Sequence, residues 1–118
     1  MKPIALAALV TSLGLSAQAA DFQRIASEAA FRTVVADRTL VDKFGDTLLF
    51  ATNGGIAGNR DAFSLTGGWV WNDGALCHRT RLNGLVIEVD CKHVYYRADM
   101  VLLLEARGRS TQEAWRFR

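Results

Sequence analysis

The sequence predicts a mainly β protein: a single small antiparallel meander curling into a barrel or sandwich, with one short N-terminal helix and a signal peptide in front. Three observations predict it. Turn signals built from Asn, Asp and Gly recur at short intervals, and the segments between them are rich in β-branched and aromatic residues. Several of those segments alternate apolar and polar residues with period two. The one proline is Pro3, so no ladder further along is interrupted by one.

Residues 1–20, MKPIALAALVTSLGLSAQAA, carry Lys2, an apolar run over 4–15, and small residues at Ala17 and Ala19. This is the pattern of a secretory signal peptide, cleaved after Ala19 or Ala20. The run is short for a membrane span, and no cysteine follows the cleavage site to carry a lipid. Cleavage leaves 118 − 20 = 98 residues, 21–118, enough for one β-rich domain with a modest core. The expected location is periplasmic or secreted, with no membrane span in the mature form. Loss of Lys2 takes the net charge from +2 to +1, and twelve acids offset the arginines. That balance gives no global attraction to nucleic acid or to an anionic membrane.

The elements follow in order. Residues 27–35 read as a short helix: Ser27 caps it, Glu28 suits its positive end, and Phe31, Val34 and Val35 form an apolar stripe. Strands are expected over 38–44 and 47–52, around a turn at Gly45-Asp46. Asn53-Gly54-Gly55 turns the chain into a short strand over 56–59. A longer one over 62–71 is broken by Gly67-Gly68, where paired glycines signal a bulge, a bend or the close approach of another backbone. Asn72-Asp73-Gly74 and Asn83-Gly84 are hairpin turns, because these residues tolerate positive φ. They separate strands over 66–71, 75–82 and 85–96. Residues 100–106 and 112–117 complete the set.

In the strand over 85–96, Leu85, Ile87, Val89, Cys91, His93 and Tyr95 share one face, which is expected to be dry. Glu88, Asp90 and Lys92 share the other, which is expected to be wet. A two-residue turn at Asn83-Gly84 sets Arg79 against Glu88 as a cross-strand ion pair, but puts Cys77 and Cys91 on opposite faces. Two cysteines in a small exported domain predict a disulfide. Both features hold if a bulge near His78 or Asp90 shifts the register between turn and disulfide.

Other chemistry is thinner. Cys77, His78, Cys91 and His93 are suitable ligand types for zinc, but Cys77 and His78 are strand neighbours facing opposite ways, so no metal site is assigned. Trp69, Trp71 and Trp115 either fill the core or line a ligand pocket in a barrel mouth. Arg79, Arg81, Arg107 and Arg109 form either an anion-binding patch or a solvated face partnered by Glu88 and Asp90. No catalytic residue is assigned: G-x-G-x-x-G after a strand, G-x-S-x-G and a P-loop are all missing, and no cofactor is called for.

Arg38-Thr39-Leu40, Gly67-Gly68-Trp69-Val70-Trp71, Asp73-Gly74, Cys77, Cys91 and Arg107-Gly108-Arg109 resemble the DUF995-like family of small exported alphaproteobacterial proteins. The resemblance covers most of the mature chain and implies no activity. Members are sometimes labelled dihydrodipicolinate reductase, which would imply a nucleotide-binding α/β domain that neither the length nor the glycine pattern supports. The expected function is therefore a non-enzymatic binding or envelope-associated module. The alternatives are a lipocalin-like carrier of a small apolar ligand and an enzyme carrying the reductase label. The expected partner is a small apolar ligand or an envelope protein.

Overall fold

A computed structural model describes residues 22–107 and 112–118; the expected signal peptide with its cleavage site, and Gly108 and Arg109, lie outside the described residues. The chain runs β1 (Gln23–Ile25), α1 (Glu28–Val34), β2 (Leu40–Val41), β3 (Thr47–Phe50), β4 (Gly55–Arg60), β5 (Phe63–Asn72), β6 (Ala75–Leu82), β7 (Leu85–Arg97), β8 (Met100–Glu105) and β9 (Gln112–Phe117). Consecutive strands from β2 to β9 pair antiparallel, and β2 also pairs with β9, so eight strands close into a barrel. The short β1 continues the row of β6 along the edge of β7, matching Gln23 to Tyr96 and Ile25 to Val94. This is the predicted mainly β meander, resolved as a barrel. It is not the α/β architecture that the reductase label implies.

The helix forms where its signals sit. The Ser27 hydroxyl accepts the Ala30 N–H at 3.1 Å, and Glu28 pairs with Arg32 at 2.9 Å. Seven residues do not hold a helix in water, so packing must sustain this one. Phe31, wholly buried, supplies it, with its ring 5.0 Å from Trp69, 5.3 Å from Trp71 and 5.7 Å from Phe50. Arg32 anchors α1 to the neighbouring turn through the Thr52 carbonyl at 2.6 Å. The helix thereby closes the barrel end that carries the turns at 51–54 and 73–74. Ile25, Leu40, Leu76, Val94 and Val101, each at most 1 % exposed, fill the space beneath it.

Both predicted hairpin turns form, with φ of 52° and 75° at Asp73 and Gly74 and 49° and 87° at Asn83 and Gly84. The strand expected over 38–44 shrinks to two residues. The Asp42 carboxylate accepts the Phe44 and Asp46 N–H groups, each at 2.9 Å, and turns the chain early. Gly67-Gly68 does not break β5. A Cβ at Gly67 would drive into the Arg79 carbonyl oxygen, so the glycine allows close approach of β6 at a backbone φ of 151°.

Register in the β6–β7 hairpin corrects three expectations. Leu82 faces Leu85 beside the turn and Cys77 faces Cys91 further along, so a shift does separate them. It lies between Thr80 and Arg81, leaving Ile87 as the extra residue, closer to the turn than His78 or Asp90. Arg79 therefore faces Val89, and the expected Arg79–Glu88 pair is absent. The wet and dry faces of β7 are also exchanged. Lys92 is 3 % exposed and Val94 is fully buried, whereas Leu85 is 75 % and Val89 63 % exposed. Alternation marks two faces but not which one points inward. Closure with β8 and β9 decides that, by setting Val94 against Leu103 and Lys92 against Glu105.

Candidate functional site

Two features are candidates, one inside the barrel and one on its wall. Inside, the half away from α1 holds a layer of charge. Lys92 Nζ lies 3.0 Å from Glu88 Oε2 and also bonds Glu113 Oε2, whose other oxygen accepts the Trp115 indole N–H at 3.3 Å. His78 Nδ1 is 2.9 Å from the Thr80 hydroxyl, and its Nε2 is 4.0 Å from Glu88. Among the described residues, Glu88, Asp90 and Glu105 bring carboxylate oxygens within 4.8 Å of one another, and the Lys92 ammonium supplies positive charge beside them.

Electrostatics fixes the charge states in this layer. Burial alone would lower the Lys92 pKa. The hydrogen bond and charge of Glu113, then those of Glu88, outweigh it and raise the pKa above that of an ordinary lysine, so the ammonium persists at neutral pH. His78 moves the other way. Burial lowers its pKa most, Lys92 adds to that, and Glu88, Glu113 and Asp90 oppose. The imidazole is thus neutral at pH 7. Thr80, His78 and Glu88 follow the order of a nucleophile, base and acid, but the 4.0 Å gap exceeds hydrogen-bond reach and Thr80 is buried. A protonated, doubly paired lysine is no general base either. This layer is built to hold the wall together.

On the wall, the outer positions of β5, β6 and β7 form successive rows: Val70, Cys77 and Cys91, then Gly68, Arg79 and Val89, then Thr66, Arg81 and Val86. Cys77 and Cys91 are joined as a disulfide, with Cα atoms 3.9 Å apart. A recess of about 730 Å³ lies over these rows, lined among others by Val70, Arg79, Arg81, Val89 and Arg107. The exposed hydrophobics Leu85, Val86 and Ile87 continue the patch to the hairpin tip. Phe63, half exposed, starts the adjoining strand, where Ser64 and Asn83 exchange hydrogen bonds of 2.9 Å. Among the described residues, Arg79, Arg81 and Arg107 make no ion pair. Glu88 and Asp90, expected as their partners, belong to the inward-facing set, and Asp90 accepts the Cys91 N–H at 2.8 Å.

The remaining residues singled out from the sequence separate. Trp69 and Trp71 pack on Phe31, and the Trp69 indole donates to the Ala51 carbonyl at 2.8 Å. Trp115 is also 6 % exposed, but borders a second recess of about 920 Å³ with Phe44, Met100 and Glu113. The three indoles thus do not surround one cavity. His78 and His93 point to opposite sides of the wall, and the disulfide consumes both cysteines, so the four zinc-type ligands do not converge. Sequence reading missed Lys92 and Glu113 as interior residues. The available signal was Val94, which shares the parity of Lys92 on β7 and sits at the strand's apolar end.

In comparisons with family models, with curated proteins and with solved structures, nothing matches this chain.

Proposed function

We propose that the chain is an exported, non-enzymatic binding domain of the cell envelope, periplasmic or secreted, that works through the outer wall of β5–β7. One observation carries this reading: Leu85, Val86, Ile87 and Val89 of β7 are exposed, alongside Arg79 and Arg81, which have no carboxylate partner among the described residues. A contiguous exposed apolar patch on a small domain marks a contact surface. The barrel interior offers less, because Trp115 and the Lys92–Glu88–Glu113 bridge fill the space a lipocalin-type ligand would take. A disulfide in so small a domain accords with an oxidising compartment.

The test combines location with contact. The unreduced exported chain is weighed by native mass spectrometry, and a photo-crosslinker is placed at Val89 or at Ala57 on another part of the wall. A mass starting at Ala20 or Asp21, two hydrogens light, with crosslinks from Val89 and not Ala57, is the expected result. An uncleaved cytoplasmic chain, or equal labelling at both positions, overturns the reading.

A second reading is favoured by the recess beside Trp115, where Phe44 is 76 % exposed. There the chain would carry a small apolar ligand at the open end rather than in a cavity around Trp69 and Trp71. A non-covalent extra mass in the same experiment, lost on Phe44→Ser, would establish it.

A further inference from the structure

We propose that the β6–β7 hairpin and the wall behind it dock on an anionic lipid bilayer, with the hairpin tip entering the acyl boundary and the arginines holding lipid phosphates. This rests on the reading of the outer wall as the contact surface, and names what it contacts.

The argument begins with charge segregation. The net charge of +2 conceals it, because acids and bases are not mixed on this wall. Glu88, Asp90, Glu105 and Glu113 face the interior side, where Lys92 partly neutralises them. The outward positions of β5–β7 carry Arg79 and Arg81 and no acid; Arg107 reaches the same recess from the end of β8, and Asp90, which accepts the Cys91 N–H, borders it. A surface with this composition attracts anions locally even in a nearly neutral protein.

Arrangement then distinguishes a bilayer from other anionic partners. The apolar side chains are ordered along the hairpin. Leu85, Val86 and Ile87 are at its tip, Phe63 is beside it, and Val89 and Val70 are set back. Arg81 lies opposite Val86 and Arg79 opposite Val89, so the cations start one row behind the tip. An apolar edge in front and guanidinium groups just behind match the depth profile of a leaflet, whose acyl chains lie below a layer of phosphates. Guanidinium groups also bind phosphate oxygens in a bidentate fork. A peptide that adds a strand would take the edge of β7 over residues 85–90, which β8 leaves unpaired among the described residues, and would leave the arginine-bearing face of β6 uncovered. The disulfide ties β6 to β7 at the Val70 end of the patch, which limits the entropy the hairpin loses on docking.

The experiment is co-sedimentation of the exported, oxidised chain with vesicles of phosphatidylcholine alone or mixed with phosphatidylglycerol. Binding is expected only with phosphatidylglycerol, weakening as salt is added. The double variant Arg79→Gln/Arg81→Gln is expected to lose roughly 30-fold in partition coefficient. Leu85→Ser/Val86→Ser should lose about tenfold, since those tip side chains would no longer enter the acyl region. Arg116→Gln, on β9, should bind like the parent chain. All five positions are at least partly exposed, and near-ultraviolet circular dichroism of each variant checks the fold. Absence of binding to phosphatidylglycerol vesicles overturns the proposal, as does equal loss in Arg116→Gln. Vesicle binding that fails while Val89 still crosslinks selectively to an envelope protein overturns the lipid partner and leaves the contact surface standing. Failure of both removes both readings.

Discussion

Lys92 is the residue on which the interior depends. Its ammonium is almost fully buried between Glu88 and Glu113, whose side chains are 37 % and 34 % exposed. Removing it leaves two carboxylates facing each other without a cation. Lys92→Met should therefore cost about 2–3 kcal/mol at neutral pH, below the figure for fully buried partners because these glutamates are partly hydrated. Urea unfolding of parent and variant at pH 7 checks it. The raised Lys92 pKa stabilises the fold at all pH values below the lysine's ordinary pKa of 10.5, and that contribution fades as alkali passes it. His78 has the opposite sign. Its lowered pKa means the unfolded chain takes up the proton first, so stability is full above pH 6.5 and declines below it. The groups facing it are Lys92, Glu88, Glu113 and Asp90. His78→Gln should flatten the stability profile just below pH 6.5; a profile unchanged by the substitution would remove His78 as its source.

At the scale of elements, the β6–β7 hairpin shows what local sequence can specify. Asn83-Gly84 set the turn and the Cys77–Cys91 bond set a second register point, so one extra residue had to lie between them. That necessity was legible in the chain. Its position at Ile87 was not, because nothing local distinguishes one outward residue from the next. The disulfide closes a loop with a sequence separation of 14, which in the chain-entropy model is worth about 3 kcal/mol. Cys77→Ala/Cys91→Ala should accordingly melt more than about 10 °C lower in a thermal scan. The helix was legible for similar reasons. Ser27, Glu28 and the Phe31 stripe are all local signals, whereas β1 and the brevity of β2 depend on partners distant in sequence. Only three residues long, β1 has no pattern of its own and exists because β7 extends past β6.

At the scale of the whole molecule, the barrel has two unlike ends. One is sealed by α1, with Phe31 among Phe50, Trp69 and Trp71; the other carries the loops bearing Phe44 and Phe63. Phe31→Ala removes the centre of that aromatic cluster and should cost about 3–5 kcal/mol, measured by chemical unfolding with tryptophan emission as the readout. A smaller loss would mean the helix slides in to fill the space. No helix among the described residues is long and apolar enough to cross a membrane.

The sequence by itself determined the mainly β class, the helix and its cap, both hairpin turns and the presence of a register shift, because each follows from backbone preferences within a few residues. Tertiary structure alone decided which face of β7 is inside. Alternation is symmetric, and only closure of the ladder between β2 and β9 gives the sheet an interior. Once closed, it drew Lys92 and its glutamates in and left Val86, Val89 and the arginines out. The candidate surface was consequently hidden in the sequence as an apparently ordinary core face, and became visible when the barrel fixed its direction.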